Sequence, residues 1–447
     1  MTTTRNLTEG KVSKQLLAFF FPMLLTNLLQ QIYSVADTAI VGKGLGDAAL
    51  GAVGNLASLN VLIIGFATGM THGFSVIIGR NYGAGNSKAL RKSIALSIRL
   101  SVILTVLLTA ASCLFLKPIL LAIQTDPLIL PDSLLYGHIV FGGLAATVAY
   151  NLCASILRAL GDSRTPFIAI VISSALNILL DYFLIFVLRA GVEGVAIATI
   201  FSQVISVGIC LTKMRGSGML RLAKEEFERD APMSLELLKN GIPLALMNCT
   251  IAVGNMIVQG FVNSCGVAYT SAYSVCGRYL GLFILPAMTA GNAVSSFVSQ
   301  NSGAGRIDRI RESMRVCMVI ALVFYALFGS VMVFLPRLLA SFMLNEAETM
   351  NLAVQYMRVC GALLFLVNFL FVFRNGVQGL GYPVIPMCSG ILEMVLRIPA
   401  IMILLPRIGF SAIAYAEIAA WIGSLTINAV TYAVVIRRKS RQLAATI

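Results

Sequence analysis

Long apolar blocks alternate with short polar joints along almost the entire chain. The blocks fall at roughly 15–41, 51–79, 93–116, 133–157, 166–188, 192–212, 240–264, 268–298, 314–335, 351–376, 384–405 and 411–436. Each is about the 20 residues that a helix needs to cross hydrocarbon. Inside the blocks the apolar residues are continuous, whereas a membrane β-barrel would alternate apolar and polar positions over segments of about 10 residues. The pattern therefore predicts an all-α integral membrane protein with twelve transmembrane helices. The longest polar stretch, KMRGSGMLRLAKEEFERDAPMSLELLKN (213–240), follows the sixth block and divides the chain into halves of six spans. The expected organisation is an N-terminal segment 1–14, an N-lobe 15–212, a linker 213–239, a C-lobe 240–436 and a C-terminal tail 437–447.

Composition agrees with this pattern. Hydrophobic residues make up 58% of the chain, charged residues 12%, and the mean hydropathy is +0.88. A soluble domain carries about twice that share of charge. The net charge of +14 does not point to nucleic acid, because the basic residues lie in the joints between spans. With both termini cytoplasmic, 24 Lys and Arg fall on the inner side, Arg5, Arg221 and Arg374 among them, against five outside. A bias of that size orients the multi-pass chain by the positive-inside rule. The nine cysteines are scattered through apolar blocks without a CxxC pair and read as small buried hydrophobes.

The two halves repeat each other. IGRNYGAGNSKALRKS (78–93) aligns with VSQNSGAGRIDRIRES (298–313) at an offset of 220, and the same offset pairs Gly46 with Gly266, Gly161 with Gly381 and Pro166 with Pro386. One residue further along, Pro22 and Asn27 meet Pro243 and Asn248. Six spans per half make the repeat parallel, so the lobes are expected to be related about an axis along the membrane normal. That arrangement suits alternating access.

Only four carboxylates lie well inside apolar blocks: Asp37, Asp181, Glu393 and Glu417. A charge at a helix centre costs at least ~2.5 kcal/mol, so such residues face a partner or a cavity and mark a pathway. Asn177 and Asp181 are four residues apart and share a helix face. Their oxygens, with the carboxylate of Asp37, suit a hard cation such as Na⁺, or a proton. Glu393 and Arg397, also four apart, are expected to form an ion pair, with substrate contact open for Glu393 and Glu417. Gln30, Tyr33, Asn255, Gln259, Arg278, Tyr279 and Asn368 are candidate linings of a substrate cavity. Pro22 frees one backbone carbonyl in the first span and marks a hinge, and Gly42, Gly44 and Gly46 are expected to loosen the outer end of that span.

The stretches YSVADTAIVGKGLGDAALGAVG (33–54), GRNYGAGN (79–86), LRALGDSRTP (157–166), NILLDY (177–182) and GVEGVAIATIFSQ (191–203), echoed by QNSGAGR (300–306) and GLGYPVIP (379–386), resemble the multidrug and toxic compound extrusion (MATE) family. The resemblance covers the chain in order and is nearer to the branch with a cation site in the N-lobe. It implies an inner-membrane secondary transporter that exports amphipathic, often cationic compounds in exchange for Na⁺ or H⁺. No bound cofactor is expected, and a closed two-lobe transporter in contact with membrane lipid has no need of a partner subunit, so a monomer is expected. Carried over residue by residue, the cation or proton site falls on Asp37, Asn177 and Asp181, with Thr199 and, more loosely matched, Asn151. The span-seven acid of some branches is missing from LALMNCTIAVGNMIVQGFVN (244–263). Lipid-linked oligosaccharide flippases share the fold and are the alternative; a membrane-embedded transferase would need a catalytic cluster in a loop, and the loops contain none of the usual constellations.

Overall fold

The structure, a computed structural model, describes residues 6–216 and 222–444. Arg5 and Arg221, both counted above on the inner side, lie outside the described residues, as do the ends of the N-terminal segment and tail and the middle of the linker. Among the described residues there is no strand. The helices are α1 (Val12–Asn55), α2 (Ala57–Gly83), α3 (Ser87–Ala122), α4 (Leu130–Gly142), α5 (Leu144–Ala159), α6 (Arg164–Tyr182), α7 (Val192–Gly216), α8 (Ala231–Ser264), α9 (Val267–Gly303), α10 (Ile307–Phe334), α11 (Pro336–Ser341), α12 (Ala347–Ala362), α13 (Leu364–Gly379), α14 (Val384–Ile408) and α15 (Ser411–Ala444). Ten are long and apolar enough to cross a membrane, and the pairs α4–α5 and α12–α13, bent by 43° and 51°, raise the number of spans to as many as twelve. The fourth and tenth apolar blocks are therefore broken rather than straight. Sharp kinks of this kind concentrate at glycine, and the first break lies at the Gly142–Gly143 pair.

The repeat is written into the backbone. Left-handed φ values occur at Gly46 and Gly266 (85° and 104°), Gly85 and Gly305 (68° and 71°), Gly161 and Gly381 (83° and 86°), and Arg189 and Gly409 (53° and 61°), each pair 220 residues apart. Three of the four pairs are glycine in both halves because an L side chain is strained there. The two bends obey the same spacing, at Gly143 and Leu363.

Two details differ from expectation. The first helix does not end near residue 41; it continues to a single break at Gly46. Gly44 serves close packing instead of flexibility, since a Cβ there would lie 2.5 Å from the Ile185 side chain. Arg374 does not lie in a cytoplasmic joint. It belongs to α13, with its side chain buried against Glu393, and the ion pair removes the charge cost that made a loop position look necessary.

The chain divides into two compact units. One contains Phe21–Ala245, the other Leu7–Phe20 together with the chain from Leu246 onward. In the first, apolar clusters form around Phe74, Ile94, Ile156 and Leu237 and around Val41, Leu56, Phe141 and Val195. The second is centred on Phe283, Tyr356, Phe410 and Trp421. Within the first unit α2 meets the start of α8 through small residues: a Cβ on Gly73 would sit 2.4 Å from the Gly241 Cα, and one on Gly69 would sit 2.5 Å from the Ala245 Cα. Small residues one turn apart allow this backbone approach, as in membrane helix pairs generally. Within the second unit Arg309 gathers the segment ahead of α1. It donates to the carbonyls of Gly10 (2.6 Å), Leu7 (2.9 Å) and Glu9 (3.0 Å) and to Asn301 Oδ1 (3.1 Å), while the Leu7 N–H donates to Gln300 Oε1 at 3.0 Å.

Candidate functional site

In the first unit, α1 carries Tyr33 and Asp37 one turn apart, α6 carries Asn177 and Asp181 one turn apart, and α7 carries Thr199. The helical period places each pair on one face, and these faces meet. Asn177 and Asp181 are buried, with 1% and 0% of their surface exposed. With its amide oriented to satisfy its neighbours, Asn177 donates from Nδ2 to Asp181 Oδ2 at 2.8 Å and to the Tyr33 hydroxyl at 3.0 Å, and its oxygen accepts from the Thr199 N–H at 3.1 Å. Asp37 neighbours Asp181 and Tyr33 neighbours Thr199 in this cluster.

In this orientation the Asn177 oxygen, expected to serve a cation, takes one bond, from the Thr199 N–H, and its nitrogen faces Asp181. The oxygens left open are those of the two carboxyls: Asp37 Oδ1 and Asp181 Oδ1 are both buried and have no hydrogen-bond partner. Two adjoining carboxylates repel each other in a low dielectric, and an unsatisfied buried polar atom is costly. A shared proton or a small cation between them removes both problems, so the donor set fits such an ion. Among the described residues no group of three His, Cys, Asp or Glu side chains is placed to hold a metal.

Asn151, on α5, donates to the Thr147 carbonyl one turn back at 2.9 Å. Two features of the site were missed in the sequence. Tyr136 of α4, 7% exposed, is a neighbour of both acids; nothing distinguished it from other span tyrosines. Directly after α6 the helix widens into a π-helical turn, Phe183–Val187, two residues beyond Asp181. Such turns occur often at functional positions, and the residues FLIFV give no sign of it.

The remaining acids are in the second unit and are paired. Glu393 of α14 takes a hydrogen bond from Arg374, which also donates to Ser424 Oγ at 2.8 Å. The expected pair of Glu393 with Arg397 exists at 3.9 Å, but Arg397 is nearer to Glu417 Oε2 at 2.9 Å and to Asn255 Oδ1 at 2.8 Å. Of the other residues suggested for a substrate cavity, Asn368 is fully buried and donates to the Ala321 carbonyl at 3.2 Å. Tyr279 donates to the Leu339 carbonyl at 2.9 Å, and Gln259 donates to Asn263 Oδ1 at 2.7 Å. Gln30 and Arg278 are exposed. Pro22 lies inside α1 with no break in the helix at that point, and the Thr26 hydroxyl donates to its carbonyl at 2.8 Å.

Comparison with known proteins places these features in context. The MatE family model matches twice, over residues 22–183 and 243–403, the two halves of the repeat. The chain is 31% identical to the probable multidrug resistance protein YpnP of Bacillus subtilis over 68% of each chain. It is 27% identical to the probable multidrug resistance protein YoeA of the same organism, over 78% of this chain and 77% of that one. Among solved structures, a MATE crystal structure in the bent conformation superposes with a TM-score of 0.92 at 20% identity, covering 99% of both chains.

Proposed function

This chain belongs to the MatE family, and from that premise we propose that it exports amphipathic, cationic small molecules from the cell by antiport with Na⁺ or H⁺. It is a multi-pass membrane transporter of the multidrug type, not an enzyme, and its cargo is small molecules. The coupling site in this reading is the Asp37–Asp181 pair, and the observation that carries it is the two buried carboxyl oxygens with no partner.

The cycle follows from charge. With the pair ionised, the N-lobe presents negative charge that attracts a cationic cargo. Arrival of H⁺ or Na⁺ at the open oxygens cancels that field and relaxes the repulsion between the carboxyls. Asn177 holds Asp181 in place throughout, and Tyr33 and Thr199 complete the wall. Pro22 has no N–H for the Ala18 carbonyl, so bending α1 there sacrifices no hydrogen bond; we assign the conformational response to this hinge. Alternating access of two lobes, a monomeric state and a plasma-membrane location with both termini cytoplasmic complete the reading.

A lipid-linked oligosaccharide flippase would need surplus positive charge within the membrane to hold pyrophosphate. Here the two buried arginines of α13 and α14, Arg374 and Arg397, are each matched by Glu393 or Glu417, whereas Asp37 and Asp181 make no salt bridge among the described residues. This balance favours a cationic cargo. The test is transport in proteoliposomes of the purified full chain. An imposed Na⁺ or pH gradient should drive uptake of ethidium or tetraphenylphosphonium against its own gradient, with anionic dyes excluded. Cation movement indifferent to both gradients would overturn the proposal.

A further inference from the structure

The second half contains a counterpart of the Asp37–Asp181 site, and its contents differ in a telling way. The register between halves is fixed by contacts. Ser206 Oγ of α7 donates to the Ala169 carbonyl of α6 at 3.4 Å, and Ser424 Oγ of α15 donates to the Ser389 carbonyl of α14 at 3.3 Å. These bonds equate α6 with α14 at an offset of 220 and α7 with α15 at an offset of 218. The second value also aligns VEGVAIAT (192–199) with FSAIAYAE (410–417), and the buried and exposed positions of the two helices then run in step. For α1 and α8, Pro22 with Pro243 and Asn27 with Asn248 give 221.

In this register Asn177 corresponds to Arg397 and Thr199 to Glu417. Asp181 corresponds to Ile401 and Asp37 to Val258, both with 0% exposure. The contact between Asn177 and Thr199 in one half is thus matched by the 2.9 Å ion pair of Arg397 and Glu417 in the other. Where the first half has two acids with open oxygens, the second has apolar residues and a guanidinium enclosed by Glu417, Asn255 and Glu393.

We propose that Arg397 is a resident cation, tethered in the C-half counterpart of the ion site, and that it confines ion coupling to the N-half. Removing the guanidinium leaves the oxygens of Glu417, Glu393 and Asn255 facing a vacated volume, which becomes a site for a free monovalent cation. The inference rests on the coupling reading above for the meaning of the N-half site, but the new site is detected independently of it.

The experiment is equilibrium binding of radiolabelled Na⁺ to the purified full chain in detergent, with methylguanidinium as a second probe. Any saturable Na⁺ that the native protein binds should disappear in Asp181→Asn. Arg397→Ala should bind one more, retained in the Asp181→Asn background and lost with Glu417→Gln. Methylguanidinium should raise its melting temperature well beyond any effect on the native chain. Folded Arg397→Ala that gains no cation and shows no methylguanidinium response overturns the proposal. If this variant does not fold, the charge-balanced pair Arg397→Ala with Glu393→Gln replaces it, under the same two criteria. If Na⁺ binding survives Asp181→Asn in the native background, the N-half reading fails, while the gain at Arg397→Ala still decides this one.

Discussion

Asp181→Asn isolates charge from shape. The new amide has the size of the carboxyl, and its oxygen is able to accept the 2.8 Å bond from Asn177 Nδ2, so the positioning of the residue survives. What disappears is one unit of negative charge at a fully buried position. Two unit charges about 4 Å apart attract by ~4 kcal/mol at an effective dielectric of about 20. Some of this returns, because Asp37 remains and the ligand oxygen of the amide is still a dipole. A net loss of about 2–4 kcal/mol follows, which is roughly 30- to 1000-fold in cation affinity. Na⁺ binding measured across a pH series, together with gradient-driven efflux of an organic cation, reads this directly, with the melting temperature as control for folding. An affinity within about threefold of the native protein, with efflux still following the gradient, would refute the charge argument.

Three further outcomes test the packing. Arg374→Met leaves Glu393 with only the 3.9 Å contact to Arg397 and should destabilise the protein by about 3–5 kcal/mol; adding Glu393→Gln should recover most of it, and thermal unfolding in detergent distinguishes the two. Arg309→Ala removes the donors that hold Leu7, Glu9 and Gly10; hydrogen exchange of the Leu7 amide should quicken by roughly 10- to 100-fold, the value of one or two charge-assisted bonds. Gly73→Ala forces a Cβ against the Gly241 backbone at 2.4 Å and should cost about 1–3 kcal/mol, whereas Gly260→Ala, with nothing within 4 Å of its Cβ, should leave the melting temperature unchanged.

Hydrophobic length made the spans legible, because a run near 20 residues has few alternatives to crossing a bilayer. The i,i+4 spacing of Asn177 and Asp181 was legible for the same kind of reason: helical period alone puts them on one face. What hydropathy cannot see is pairing. Arg374 looked like a loop residue because an unpaired guanidinium would be, and only the fold shows Glu393 beside it. Arg397 was assigned to Glu393 by sequence distance, while its shorter contact, Glu417, comes from another helix. The direction in which Asn177 points its amide depends on Thr199 and Tyr33, neighbours from two other helices. The need for glycine at position 44 likewise comes from Ile185, which packs against it. Each miss concerns a partner distant in sequence.

The division of the first helix of each half has a consequence for either half taken alone. α1 leaves one compact unit between Phe20 and Phe21, next to Pro22, and α8 makes the reverse passage between Ala245 and Leu246, just after Pro243. A gene fragment ending before the linker would contain Leu7 but lack Gln300, Asn301 and Arg309, which receive it, and would contain Gly69 and Gly73 but lack Gly241. Each half therefore needs a helix end from the other to complete these contacts, and a single half could make them only by exchanging helix ends with a second copy.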